Sequence, residues 1–441
     1  MAGVGQYRSV LGDYRVHDGT YLLGSLETGV TVWKQQVRAH NLIWALWEAS
    51  GRSDSRPLKI AIVGGGIGGL TAAACILSRM PGAEITIFER RWDLCPLQQG
   101  SDNRWLHPHI YGWPALGSRA PEASLPVLNW VEGRASDVAR TILFQFAKYR
   151  KVYDTNANAP RVRIFLGVHH LRIDHKQRKI EWIGSRAIGA TSYVDLGGTE
   201  GSSEHFDVII LAPGFGLEIG CSDSETPLYW RNEQYGQPIL DGGQPLYVVS
   251  GYRDGALVDL CRLRIEGFRQ DTIVYELFSA NDLEAAEELL RAAKVHELPN
   301  ILDLLQKSQS KAFVSRAWLS LAHRLRSDTR VVLHVAGRGP VDASFRKLFS
   351  QGSSVLNRFL LFLLYRCGAF ELNFAPLDEV IETYRSSAEA IICRHGPQPL
   401  EHVLQIFISP SSVKQRLQKM HAQQNQAARP LWFPGTFTHL P

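Results

Sequence analysis

The stretch KIAIVGGGIGGLTAAACILSRMPGAEITIFER, Lys59 to Arg90, decides the fold. Five residues of strand-forming, mostly branched character run into a glycine-rich turn. A small-residue helical pattern follows, and EITIFE closes the unit as a second strand. Gly64, Gly66 and Gly69 give G-x-G-x-x-G at the junction of strand and helix. Each glycine has its own task in such a turn. The first lets the chain leave the strand sharply, the second lets a pyrophosphate approach bare backbone, and the third lets the helix sit close to the strand. The helix N-terminus then aims unpaired N–H groups and a partial positive charge at the phosphates. Glu89 ends the second strand 20 positions after Gly69, where a carboxylate meets a ribose diol. An adenine dinucleotide fits this pattern, and the pattern does not distinguish FAD from NAD.

Outward from that unit, the 441 residues imply two or three packed units. A composition 45% hydrophobic and 21% charged, with a net charge of +5, is that of a globular protein. The charge is too dilute to suggest nucleic acid or a membrane surface. The longest strongly apolar run, FLLFLL at Phe359–Leu364, falls far short of the ~20 residues of a membrane span. The first residues lack the apolar core of a secretory signal, so a cytoplasmic location is expected. The six cysteines are scattered without a CxxC, which argues against both a disulfide framework and a zinc site. Cys75 and Cys261, inside helical patterns, read as buried thiols, and no metal ligand set is assigned.

The chain divides as follows. Residues 1–56 are a leader ending in a capping helix, 57–235 the first part of a dinucleotide-binding domain, and 236–329 a second nucleotide-binding-like domain. Residues 330–395 are expected to return to the first domain, and 396–441 to form a loosely packed tail. The fold class is α/β, a Rossmann-like domain with a second one inserted. The second unit, PLYVVSGYRDGALVDL to TIVYE, repeats strand, turn, helix, strand. Aligned as G-x-G-x-x-A it begins at Gly251 and places Arg253 where the middle glycine belongs. Glu276 stands 20 positions after Ala256, again at the ribose position.

The first unit resembles the FAD-binding motif of the glutathione-reductase-like flavoproteins, an FAD/NAD(P)-binding oxidoreductase superfamily with two dinucleotide-binding domains. A second signature of that superfamily, a strand ending in an Ala-Thr-Gly-like turn, is similar to FDVIILAPG, Phe206–Gly214. Pro213 replaces the usual threonine and brings neither hydroxyl nor N–H. The resemblance implies FAD as cofactor, held by Gly64, Gly66, Gly69, Glu89 and Gly214. It implies an arginine over the pyrophosphate, for which Arg104 in NRWLHPHIYGWP is the choice. It also implies NAD(P)H binding at Gly251, Arg253 and Glu276, unless the altered turn has lost that ligand.

The activity implied is hydride transfer through flavin N5 between NAD(P)H and a small-molecule substrate, a monooxygenase included. A substrate-reduced oxidase of amines or amino acids and a non-catalytic nucleotide-binding or sensing protein are the alternatives. His107 and His109 offer either proton transfer near neutral pH or satisfied packing in an aromatic loop. No catalytic residue is assigned.

Overall fold

In the computed structural model the described residues are 4–24, 26, 30–50, 57–154, 161–188, 195–214, 221, 227–240, 242–336, 341–396, 399–422 and 429–440. The end of the expected leader, 51–56, and residues 337–340 of the expected return segment lie outside them.

The chain opens with helix α1 (Val4–Tyr14), the hairpin strands β1 (Arg15–His17) and β2 (Thr20–Leu22), and α2 (Val32–Ala49). The quoted stretch follows as β3 (Lys59–Val63), α3 (Ile67–Arg79) and β4 (Glu84–Phe88). A short ribbon, β5 (Trp105–Leu106) with β6 (Gly133–Arg134), leads to α4 (Ala135–Tyr153). Then come β7 (Val162–Asp174), β8 (Lys179–Ile188), β9 (Asp195–His205) and β10 (Val208–Leu211).

These strands form one sheet in the order β1-β2-β10-β3-β4-β7-β8-β9. From β2 through β7 every neighbouring pair is parallel, while β7, β8 and β9 form an antiparallel meander. A parallel centre needs cover on both faces. On one face α2, α3 and α4 bury a core that includes Ile60, Ile62, Leu70 and Ile142. That helix side is possible because α3 carries small residues, Ala72, Ala73 and Ala74, all fully buried.

The second unit comprises β11 (Leu246–Ser250), α5 (Asp254–Arg264), α6 (Ile273–Leu277), α7 (Ala280–Ala292), α8 (Leu302–Ser308), α9 (Ala312–Ala322), β12 (Arg330–His334) and α10 (Val341–Lys347). It continues with α11 (Val355–Arg366), β13 (Glu371–Asn373), α12 (Leu377–Tyr384) and β14 (Ile391–Cys393). Its four strands are all parallel, in the order β13-β12-β11-β14. Helix α11 starts at Ser354, whose side chain accepts from Asn357 N, and its apolar run from Phe359 to Leu364 is buried in this unit's core. Among the described residues no helix is long and apolar enough to cross a membrane.

Three expectations are corrected. The strand of RVVLHVAG, β12, pairs with β11 and β13 in the second sheet and does not return to the first. The place beside β10 is taken by β2 from the leader, so residues 1–56 supply a sheet strand as well as a helix. The segment beyond 396 is not loosely packed. Helices α13 (Pro399–Leu404) and α14 (Pro410–Ala422), with Phe407 between them, cover the far face of the first sheet through Val403, Phe407, Val413 and Leu417. The physical reason is shared: a parallel strand is satisfied by any parallel neighbour of the right register, and local sequence does not say which end of the chain provides it.

Candidate functional site

The carboxyl ends of β3 and β4 meet the N-terminus of α3, and the site is built there. Gly64 N–H donates to Phe88 O at 2.7 Å, and Ala212 N–H donates to Val63 O at 2.7 Å, so the turn is pinned between its two neighbouring strands. Gly64 has φ +117°, a conformation open to glycine, and a Cβ there would lie 2.0 Å from Ala212 O. At Gly69 a Cβ would lie 2.0 Å from Gly64 O, so the third glycine lets the helix close on the strand.

Gly66 behaves differently. A Cβ built on it meets nothing within 4 Å. Gly66 is also the N-cap residue of α3 and brings no side chain to the first N–H groups, which leaves those donors to an outside acceptor. Two of the three glycines are therefore required by the protein's own packing, and the middle one faces open space at a helix's positive end.

Glu89 is 7% exposed. One carboxylate oxygen accepts from Gly65 N–H at 2.7 Å and the other from Arg91 N–H at 2.7 Å. Burial raises its pKa above the ordinary value, against the opposing pull of those two N–H donors. Each carboxylate oxygen keeps capacity for a further donor, such as a hydroxyl of a diol. Gly65 joins the site although the motif does not name it: a Cβ there would sit 2.8 Å from Leu94 Cδ2 and 3.0 Å from Glu89 Cβ. The unbroken GGG of the sequence was the available signal. Gly214, at φ +69° with open space around a Cβ, follows β10 on the same carboxyl side of the sheet.

Arg104 lies elsewhere. Its guanidinium pairs with Asp259 of α5 at 2.5 Å, and Arg394 binds the other oxygen of that carboxylate at 2.7 Å. Glu233 and Arg262 pair beside them. The Tyr229 ring lies 4.0 Å from the Arg104 guanidinium carbon. Burial opposes all these charges, yet Arg104 and Arg394 hold the Asp259 carboxyl well below the usual carboxylate range. Asp259 in turn holds the Arg104 guanidinium above its own ordinary value. Arg104 is thus a strut tying the loop after β4 to the second unit, and the expectation that it covers a pyrophosphate is corrected. A partner 155 residues away leaves no mark in local sequence.

The histidines of the same loop are engaged in packing. His107 Nδ1 accepts from the N–H groups of His109 and Ile110, both at 3.0 Å, and Nε2 faces Glu132 at 3.1 Å. Burial lowers its pKa to about 4. His109 meets Glu122 O at 3.1 Å and the edge of Trp33.

In the second unit Gly251 has φ +143°, and a Cβ would lie 2.6 Å from Arg394 O, so this glycine too is demanded by packing. Arg253 is exposed and is the N-cap residue of α5. Asp254, in the first turn of α5, turns its carboxylate to Ser354 N–H at 2.8 Å and Asn357 Nδ2 at 2.7 Å. Glu276 does not end a strand. TIVYE is the helix α6, and Glu276 pairs with Arg324. The β-branched TIV favours a strand on propensity, but Ile273, Val274 and Leu277 bury one side of a short helix against the core instead. The second turn thus lacks the strand-tip carboxylate expected of it.

At the carboxyl ends of the second sheet, Cys221 and Cys393 form a disulfide, which corrects the expectation of scattered thiols. Cys75, Cys95, Cys261 and Cys367 are free, and Cys75 and Cys261 are buried as expected. Ser250 Oγ lies 2.7 Å from His334 Nδ1 and 2.7 Å from His395 Nε2. Burial lowers the pKa of both histidines.

Residues 62–115 match the family of NAD(P)-binding Rossmann-like domains, a span that takes in the end of β3, the glycine turn, α3, β4 and Glu89. No curated protein matches the chain. Among solved structures, a water-forming NADH oxidase from Lactobacillus brevis bound to NADH is similar at 11% identity and TM-score 0.26, over 72% of this chain and 46% of that one. A polycyclic ketone monooxygenase from the thermophilic fungus Thermothelomyces thermophila is similar at 13% identity and TM-score 0.34, over 93% of this chain and 74% of that one. Reduced CoADR-RHD of Bacillus anthracis is similar at 14% identity and TM-score 0.29, over 79% of this chain and 46% of that one. This chain therefore spans about half the length of the first and third. Likenesses this distant bear no weight on what the chain does.

Proposed function

We propose that the chain is an FAD-dependent oxidoreductase that holds the cofactor at the Gly64–Gly69 turn and is reduced by NAD(P)H. The observation that carries this reading is the open space at Gly66, at the uncapped N-terminus of α3, between two glycines locked by contact. When bound, FAD supplies the hydride acceptor, and the chemistry is the cofactor's. The chain's own residues bind and orient. The N–H groups at the start of α3 donate to the diphosphate, and their partial positive charge stabilises it. Glu89, held in place by Gly65 and Arg91, accepts from the ribose hydroxyls. Gly214 offers further bare backbone at the end of β10. The substrate is a small molecule, with monooxygenation among the outcomes, and the working place is the cytoplasm.

Protein purified without added cofactor carries flavin absorbance on this reading, and NADH or NADPH bleaches it under anaerobic conditions. A colourless preparation that binds only NAD(P) at the same turn overturns the choice of FAD. A second reading, reduction by the substrate itself as in an amine or amino-acid oxidase, is favoured by one observation: Glu276 sits on a helix and is not the strand-tip carboxylate that a nicotinamide dinucleotide's ribose would meet at the second turn. Flavin that ignores both nicotinamides but bleaches with such a substrate selects it. Flavin that nothing bleaches selects a non-catalytic nucleotide-binding role.

A further inference from the structure

We propose that Cys221, Cys393 and His395 form a soft-cation site of the zinc class, closed as a disulfide in the oxidised protein and opened by reduction. The two sulfurs and a ring nitrogen of His395 all lie within 4.8 Å of one another. Tetrahedral zinc, with Zn–S near 2.3 Å and Zn–N near 2.0–2.1 Å, needs its ligand atoms roughly 3.6–3.8 Å apart. The histidine nitrogen lies no more than about one ångström beyond that spacing from either sulfur; the bonded sulfurs must part on reduction, and the Cα atoms of the cysteines, 6.0 Å apart, leave them free to do so by side-chain rotation. Cys393 is buried, Cys221 half-buried and His395 exposed, so the site has a closed thiolate floor and one open side for a water or an exchangeable ligand.

The hydrogen bonds behind His395 prepare it as a ligand. His334 Nε2 lies 2.9 Å from Ala375 O, and a carbonyl only accepts, so Nε2 carries the proton. With a neutral ring, Nδ1 of His334 then accepts from the Ser250 hydroxyl at 2.7 Å. That hydroxyl has no second proton, so His395 Nε2–H donates to it at 2.7 Å. The remaining lone pair of His395 is on Nδ1, free for a cation. Supporting partners of this sort orient histidine ligands and set their tautomer. Ser250, on β11, is the positioning residue.

The redox step balances with a small thiol as reductant. Two thiol molecules give up two electrons and become a disulfide, the Cys221–Cys393 bond breaks, and both sulfurs are protonated. Binding of Zn2+ then releases two protons to solvent as the thiols become thiolates. In either state the pair joins the segment beyond β10 of the first sheet to the end of β14 in the second, once by a covalent bond and once by a shared cation.

The test uses the full chain with Zn2+ as probe. Oxidised and reduced wild type are equilibrated with zinc, freed of excess by gel filtration, and assayed for zinc per chain. Affinity is measured by competition with a chromogenic chelator. Reduced wild type holds about one zinc and oxidised wild type none. Cys393→Ser abolishes retention. His395→Ala, which leaves both thiols in place and alters an exposed residue, weakens it, and Ser250→Ala weakens it by roughly 10–100-fold, the usual cost of losing a supporting partner. Zinc retention by reduced wild type no greater than that of the oxidised protein overturns the proposal. So does retention that survives Cys393→Ser, or an affinity untouched by His395→Ala.

Discussion

Gly66→Ala separates ligand binding at the proposed site from folding. The backbone at Gly66, φ −74° and ψ 179°, suits alanine, and the added methyl meets no atom within 4 Å. Two small effects on stability oppose each other. Alanine is a poorer N-cap than glycine by about 1 kcal/mol or less, and it reduces unfolded-state entropy by about 0.4–1 kcal/mol in favour of folding. The cofactor-free protein therefore unfolds within about 1 kcal/mol of wild type. On the proposed placement the cofactor is affected differently, because the methyl would stand where the diphosphate approaches the N–H groups of α3. Losing one charge-assisted hydrogen bond costs about 1.5–3 kcal/mol, a roughly 10–150-fold weaker affinity for FAD. Gly69→Ala reverses the pattern. Its Cβ would lie 2.0 Å from Gly64 O, an overpacking that costs about 1–3 kcal/mol or more, so stability falls whether or not cofactor is present. The assay is flavin content of the purified variants, FAD titration of the stripped proteins by flavin fluorescence, and urea melts of the same stripped samples. Wild-type FAD affinity in Gly66→Ala, or a loss of stability equal to that of Gly69→Ala, would refute the placement of the diphosphate at this turn.

Other expectations follow from the buried charges and rings. His40 is fully buried, with Nδ1 at 2.8 Å from Gln36 O, and burial lowers its pKa to about 4. Its folded pKa is below the unfolded value of about 6.5, so its contribution to stability is complete above pH 6.5 and is lost as pH falls toward 4. This one group accounts for on the order of 2–3 kcal/mol between pH 7.5 and 4.5, and urea melts of His40→Leu show a correspondingly flatter profile. Asp259→Asn leaves Arg104 and Arg394 without their shared counter-charge and costs about 3–5 kcal/mol. Arg316→Ala breaks a pair whose arginine side chain is 60% exposed and costs far less, because solvent screens it; chemical denaturation compares the two. Arg253→Gly restores the middle glycine of the second turn and speeds anaerobic bleaching by NAD(P)H, measured by stopped flow, whereas an unchanged rate counts against obstruction by Arg253.

The first turn was legible because its requirements are local. The strand end, the glycine turn and the helix start lie within a dozen positions, and Glu89 ends the next strand of the same unit, so Glu89 meets the turn at Gly65 N–H. The α/β class was legible for the same reason, since alternating strand and helix patterns state their own periodicity. Local reading gave each glycine its own task; what the surrounding atoms add is the partner of each contact, Ala212 O for Gly64 and Gly64 O for Gly69, with nothing within 4 Å of a Cβ at Gly66.

Tertiary structure decided everything that depends on a distant partner. TIVYE reads as a strand but becomes a helix, because the core it faces, not its propensity, chooses. Arg104 meets Asp259 rather than a phosphate, since a buried guanidinium goes to whichever carboxylate the fold places beside it. The leader's β2, not the late strand β12, completes the first sheet, and residues beyond 396 cover its far face. Cysteines 172 residues apart become a pair. Spacing along the chain records what neighbours can do to one another, and it carries no record of which remote segments will be brought into contact.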